Sequence, residues 1–292
     1  MKLTTKLEDG RTFEYFDNGI ESNQALVMHH GTTVSLEIFG AWIDKATEAG
    51  VRVVAPNRPG VGASTRKPGR RIIDDVNDVR ELQAQLGITK FVAIGYSGGG
   101  ARAMGSSMLQ GCVSVHTAAG ASPMGYEVLE QVMGFTPEQL EERRALLADF
   151  DSYLEYRKSL IGFDLAKNIK VEHIIDEIRA LPNFAAFEAD YLRFTQDVVD
   201  SIVIALEHGP EADGDDWYAN ITPWGFDLAD VTAPVTQWHG NADTDVVLAR
   251  GQYVHSQLPN STLHVLDGIG HDSIMVEYRD QILDQAIAQL WG

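Results

Sequence analysis

The stretch "FVAIGYSGGGAR", Phe91 to Arg102, sets an apolar run against a serine walled in by glycines. Two kinds of site compete for such a sequence: a loop that cradles phosphate, or a sharp corner that displays a reactive hydroxyl. A P-loop needs Lys and then Ser or Thr after its last glycine, and "GYSGGGAR" has neither there; a dinucleotide fingerprint fails on glycine spacing. Gly95-Tyr96-Ser97-Gly98-Gly99 fits G-x-S-x-G between strand and helix. Small residues at both ends let the strand turn so tightly that the serine backbone is strained and its hydroxyl stands clear of the sheet. The plainer alternative makes Ser97 a helix N-cap beside a flexible turn.

Working outward, apolar runs alternate with amphipathic stretches. "KLTTKL" and "TFEYF" flank "EDG" and read as a hairpin. "ALVMHHG" and "VRVVAPN" read as buried strands around a helix from Leu36 to Glu48. Ile72, Val76, Val79, Leu82 and Leu86 recur at helical spacing and stop at Gly87. After the elbow come a helix from Gly98 to Leu109 and the strand "CVSVHTAAG". Such alternation specifies a parallel sheet covered on both faces.

From about Ser122 to Trp224 helical patterns follow one another without strands. Thr136, Pro137 and Gln139 suit a capping box, and further helices are expected from Val171 to Leu181 and Ala185 to Glu207, before an acidic turn, "PEADGDD". Alternation resumes with "PVTQWHG", a helix near Val246 to Leu258, the strand "STLHVLDG" and a last helix from about Ser273 to Leu290. The expected division is a core of residues 1–121 and 226–292 with a helical insertion, 122–225.

Length and composition agree with this. The 292 residues, 44% hydrophobic and 22% charged, suffice for one large domain with a substantial insertion. A formal net charge of −19 argues against nucleic-acid binding, which needs clustered Lys and Arg. The single cysteine, Cys112, sits in an apolar run as a small hydrophobe and permits no internal disulfide. The first residues lack the apolar run of a signal peptide, and no segment approaches the roughly 18 apolar residues of a membrane span. A cytoplasmic location, no membrane partner, and a monomer or homodimer are the expectations.

A serine hydroxyl is a poor nucleophile near neutral pH, so Ser97 needs a histidine to take its proton and a carboxylate to orient that histidine. Asp243, in "WHGNADTDVV", follows a strand by a short loop, and His271, in "VLDGIGHDS", holds the equivalent place after the next strand. The order Ser, Asp, His is the one a strand–elbow–helix architecture uses. Asp245 lies near the start of a helix, where an acidic N-cap is the ordinary explanation, and Asp267 and Asp272 reach His271 only by local contact. Two backbone N–H groups must hold the oxyanion: Gly98 in the elbow and Thr32, in "MHHGTTVS". His30 there is read as a brace for the loop.

These pieces together resemble the α/β-hydrolase-fold superfamily, in its group with a helical cap. "HHGTT" is similar to the oxyanion loop, "PNRPGVGAS" to the Asp-Arg-x-Gly-x-Gly-x-Ser turn, "GYSGGG" to the elbow, "HGNAD" to the segment with the acid, and "GIGH" to that with the base. Asn57 departs from the usual Asp in a turn of structural role. The resemblance implies a mostly parallel eight-stranded sheet flanked by helices, with the cap after the sixth strand. It implies a serine hydrolase acting on a small-molecule carboxylic ester, without metal or organic cofactor. Haloalkane dehalogenases and epoxide hydrolases of this fold carry aspartate at the elbow, so Ser97 argues against both. Proline iminopeptidases usually show His-Gly-Gly-Pro-Gly and Gly-Gly-Ser-Trp-Gly, absent here. Aminopeptidase and carbon–carbon hydrolase remain lesser readings, a perhydrolase or haloperoxidase side activity would use the same three residues, and a non-catalytic ligand sensor on the same fold is the alternative of another class. Of the insertion's aromatic residues Phe135, Phe150, Tyr153, Tyr191, Phe194, Trp217 and Trp224, some are expected to line the pocket and most to form its core.

Overall fold

The computed structural model describes residues 1–125, 128–160, 162, 166 and 168–292. Its eight strands are β1 (Lys2–Lys6), β2 (Thr12–Asp17), β3 (Gln24–His29), β4 (Val53–Pro56), β5 (Lys90–Tyr96), β6 (Cys112–Ala118), β7 (Val235–Gly240) and β8 (Ser261–Leu266). They form one sheet in the order β1-β2-β4-β3-β5-β6-β7-β8. β2 pairs antiparallel with β1 and β4, and every other pairing is parallel.

Strand periodicity builds two cores. Leu26 and Met28 of β3 and Val92 and Ile94 of β5 face one cluster, whereas Ala25, Val27, Phe91 and Ala93 face the other, because successive side chains point to opposite sides. Helix α1 (Gly40–Glu48), preceded by a 3-10 turn (Leu36–Phe39), covers the first face with Trp42 and Ile43. Helices α2 (Ile72–Gln85) and α3 (Gly99–Ser106) cover the second with Val76, Val79, Leu82, Ala101 and Met104. Each of the Val, Leu, Ile and Met side chains, fully buried, contributes about 1.5–3 kcal/mol. α2 ends where Gly87 takes φ +63°, which an L side chain adopts only under strain.

Between β6 and β7 the described residues contain helices and no strand: α4 (Pro137–Leu147), α5 (Phe150–Leu160), α6 (Val171–Arg179), α7 (Glu188–Ala205) and α8 (Glu211–Ile221). Thr136 caps α4 reciprocally with Gln139. After β7 come α9 (Leu248–Gln257), α10 (Ser273–Glu277) and α11 (Arg279–Trp291). No described helix is long and apolar enough to cross a membrane.

Three expectations require correction. The acidic "PEADGDD" is not a turn: Glu211 to Asp216 open α8. Asp213, Asp215 and Asp216 are buried there against Arg157, Arg66 and Arg58, partners 56, 149 and 158 residues away in sequence. Gly214 belongs in this helix because a Cβ would run into the Leu154 side chain of α5. The last helix is two, broken at Tyr278 (φ −114°, ψ 3°), so that Glu277 can accept hydrogen bonds from Tyr191 and Asn183. α3 stops at Ser106, after which Ser107, Met108 and Leu109 close tighter i−3 turns.

Candidate active site

Ser97 sits at the end of β5 with φ +51°, a left-handed conformation costly for a residue with a side chain. Neighbouring backbone holds it there: its N–H donates to Ala118 at 3.0 Å, and its carbonyl accepts from Gly100 and Ala121, both at 2.9 Å. The glycines supply the clearance. A Cβ on Gly95 would strike the Gly99 carbonyl, and one on Gly99 the carbonyls of His29 and His30, all immovable backbone.

The loops after β7 and β8 bring Asp243 and His271 together, with Nδ1 of His271 2.8 Å from Oδ2 of Asp243. The other carboxylate oxygen accepts the N–H groups of Asp245 and Val246, both at 2.9 Å, so the acid cannot rotate. Burial pulls the His271 pKa down, but the hydrogen bond and charge of Asp243, with Asp272 and Asp245 beyond, outweigh it and leave the imidazole above its ordinary 6.5. Burial likewise pushes Asp243 up, and the His271 contact brings it to a net lowering. Asp245 is not an N-cap, because α9 starts later, after Val247. Asp272 instead accepts from the Tyr96 hydroxyl at 2.5 Å, and Asp267 accepts from Asn241 at 2.8 Å. Ser97 and His271 line the same cavity; no hydrogen bond joins their side chains among the described residues, a looseness usual before substrate enters.

Thr32 and Gly98 face this cavity too, and among the described residues neither backbone N–H has a hydrogen-bond partner. The loop carrying Thr32 is fixed from below. Arg58 donates to the carbonyls of His30 (2.5 Å) and Gly31 (2.6 Å), while His30 accepts the Arg58 N–H at Nε2 and contacts the Gly31 carbonyl through Nδ1. Burial, followed by the Arg58 charge, lowers the His30 pKa well below 6.5, so it acts as a neutral brace. Asn57 donates to Glu14 at 2.8 Å, a bond that the carboxylate of an aspartate could not supply.

Sequence reasoning missed what holds Arg58. Asp216 of α8 accepts from Arg58 (2.8 and 2.6 Å), Arg70 (2.7 Å) and Arg102 (2.9 Å), and Asp75 takes further bonds from Arg70 and Arg102. Burial pushes the Asp216 carboxyl up, but Arg58, Arg102 and Arg70 outweigh it and hold its pKa far below the carboxylate range. The same helix touches the loop directly: Asn220 donates to Thr32 Oγ1 at 2.8 Å, Trp217 donates to Thr33 Oγ1 at 3.3 Å, and Asp213 bonds that same hydroxyl. Arg102 in "GGGARAM" was the available signal, a single charge in a helix otherwise made of small and apolar residues.

The cavity encloses about 360 Å³, within the size of small-ligand sites. Val34, Ile38, Val198, Ile202, Ile221 and Val246 form apolar wall, and Arg250, Asp245 and Asp272 bring charge. Of the aromatic residues named from sequence only Trp217 lines it; Tyr153, Tyr191, Phe194 and Trp224 are buried within the packing instead.

Residues 24–104 match the sequence profile of the family described as alpha/beta hydrolase fold. No curated protein sequence matches the chain. Among solved structures it is similar to an esterase from Exiguobacterium antarcticum (18% identity, TM-score 0.66, 100% of both chains). It is also similar to a bromoperoxidase from Bacillus anthracis (18%, 0.66, covering 100% of this chain and 99% of that one). A third is the enol-lactonase from Burkholderia xenovorans (15%, 0.66, 99% and 100%). The chain has the α/β-hydrolase fold.

Proposed function

We propose that this α/β-hydrolase-fold protein is a serine hydrolase that cleaves small carboxylic esters, with Ser97 as nucleophile, His271 as general base and acid, and Asp243 orienting the imidazole. One observation carries the reading: a serine strained to φ +51° opens into the same cavity as a histidine bonded at 2.8 Å to a buried carboxylate. Because Asp243 engages Nδ1, the other imidazole nitrogen, Nε2, is the one left to accept the serine proton. The Ser97 oxygen attacks the ester carbonyl, and the oxyanion settles between the N–H groups of Thr32 and Gly98, each worth on the order of 3 kcal/mol. His271 then returns the proton to the departing alcohol. Water, deprotonated by His271, attacks the acyl-serine, and collapse of the second tetrahedral intermediate releases the acid and restores the hydroxyl.

The insertion, residues 122–225, acts in this reading as a cap whose Val198, Ile202, Trp217 and Asn220 close over the substrate. Esterase and lactonase chemistry among the structural neighbours agrees with the assignment. The test is a fluorophosphonate with a short-chain p-nitrophenyl ester series on the wild type and Ser97→Ala. Mass gain and ester release in the wild type alone support the reading. Labelling of neither protein, together with absence of turnover, sinks it in favour of a ligand-binding role.

A further inference from the structure

Four arginines are buried among the described residues: Arg58, Arg70, Arg102 and Arg250. The first three each meet a carboxylate at 2.9 Å or less. Arg250, 9% exposed, pairs with none among the described residues. Its Nε donates to Ser122 Oγ at 2.8 Å and its Nη2 reaches the Ser122 carbonyl at 3.4 Å, and among the described residues Nη1 has no hydrogen-bond partner. A guanidinium this buried, with no carboxylate against it among the described residues, is costly and cannot escape by losing its proton at neutral pH. Burial does pull its pKa down, to about 10; the Asp243 charge opposes this and the charge of Arg143 from α4 adds to it.

Its location gives the charge a purpose. Arg250 forms part of the wall that Ser97 and His271 share, and its anchor Ser122 follows Ala121, whose N–H binds the Ser97 carbonyl at 2.9 Å. The neighbouring acids are engaged with other groups: ligand atoms of Asp243 and Asp245 lie within 4.8 Å of His271, and Asp272 is tied to Tyr96. The cation therefore stands beside Ser122 in a wall that also carries apolar residues, Val34, Ile38, Val198 and Ile202 among them.

We propose that Arg250 recognises a carboxylate carried by the substrate, so that the preferred ester bears an anionic group a short aliphatic span from the scissile bond. This rests on the serine-hydrolase reading for the bond cleaved, but not for the binding. Planar N–H groups suit a carboxylate, and pairing would supply an anion that none of the described residues provides. The apolar residues of the wall suit the methylenes of such a substrate.

The experiment compares mono-p-nitrophenyl adipate with its methyl-capped neutral counterpart on the wild type, Arg250→Gln and Arg250→Lys, reading the ratio of kcat/KM for the two esters. The expected ratio is tenfold or more in the wild type, close to one in R250Q, and intermediate in R250K. A wild-type ratio near one overturns the proposal, as does a ratio unchanged in R250Q. A higher kcat/KM for a phosphonate-terminated ester than for the carboxylate overturns the choice of anion. Fluorophosphonate labelling of R250Q establishes that the variant is folded. Calorimetry of monomethyl adipate with Ser97→Ala separates the two readings: binding that Arg250→Gln abolishes supports the carboxylate site even if no ester turns over, and absence of binding refutes it even if neutral esters are hydrolysed.

Discussion

Asp216→Asn removes one negative charge and almost no volume, at a position 3% exposed where three guanidinium groups converge. Arg70 and Arg102 keep Asp75, at 2.7 and 2.9 Å. Arg58 keeps only the carbonyls of His30 and Gly31. Breaking a buried pair by removing one partner costs about 3–5 kcal/mol, and the surviving carbonyl bonds place D216N at the lower end, about 3 kcal/mol. At about 2–4 °C per kcal/mol for a chain approaching this size, Tm should fall by about 6–12 °C. Activity should fall independently, because Arg58 fixes the loop that carries Thr32. Complete loss of one oxyanion donor costs about 100-fold to 1000-fold in kcat, so a loosened loop should cost about tenfold, with KM little changed. Urea unfolding and p-nitrophenyl acetate hydrolysis well below Tm read the two effects. Asp74→Asn, at a part-exposed pair with Lys67, is the control and should stay within about 1 kcal/mol. The reasoning fails if D216N unfolds within 1 kcal/mol of the wild type, or if it is destabilised yet keeps kcat within twofold.

Other consequences are equally open to measurement. In the proposed mechanism His271 must be neutral to accept a proton, and it holds its proton beyond 6.5, so kcat/KM should rise with pH through an inflection above that value. Asp272→Asn removes one of the charges that retain the proton and should move the inflection downward; an unmoved profile would contradict this. Burial lowers the pKa of His29 to about 3 and, against a hydrogen bond to the Gln289 amide oxygen, that of His116 to about 4. The unfolded chain therefore binds more protons below pH 6.5, and stability should fall from there towards pH 4 by up to about 1.4 kcal/mol per pH unit per histidine. Unfolding free energies that stay flat over that range would count against both assignments. Gly99→Ala should fail to fold or lose more than about 3 kcal/mol, since its Cβ meets two backbone carbonyls, whereas Gly125→Ala, with open space around it, should stay within about 0.5 kcal/mol. Comparable urea midpoints for the two would refute the close-approach argument.

The sequence by itself determined the layers and the elbow, because their signals are local. Alternation of apolar residues along "ALVMHH" and "FVAIG" describes which side of a sheet each side chain takes, and the spacing from Ile72 to Leu86 describes one helix face. Gly95 and Gly99 were legible as steric necessities of a tight corner, and the loops after β7 and β8 pointed to Asp243 and His271 by topology alone. Tertiary structure alone decided what the acidic helix is for. Pro, Gly and four acids in seven residues carry a turn signature, and burying Asp213, Asp215 and Asp216 is tolerable only because arginines from distant segments arrive beside them. The same holds in reverse for Arg250, which no motif in the sequence marks and which the fold sets in the cavity wall. Whether a charge meets water, a partner or an empty wall is a property of three-dimensional neighbours, and no local period encodes it.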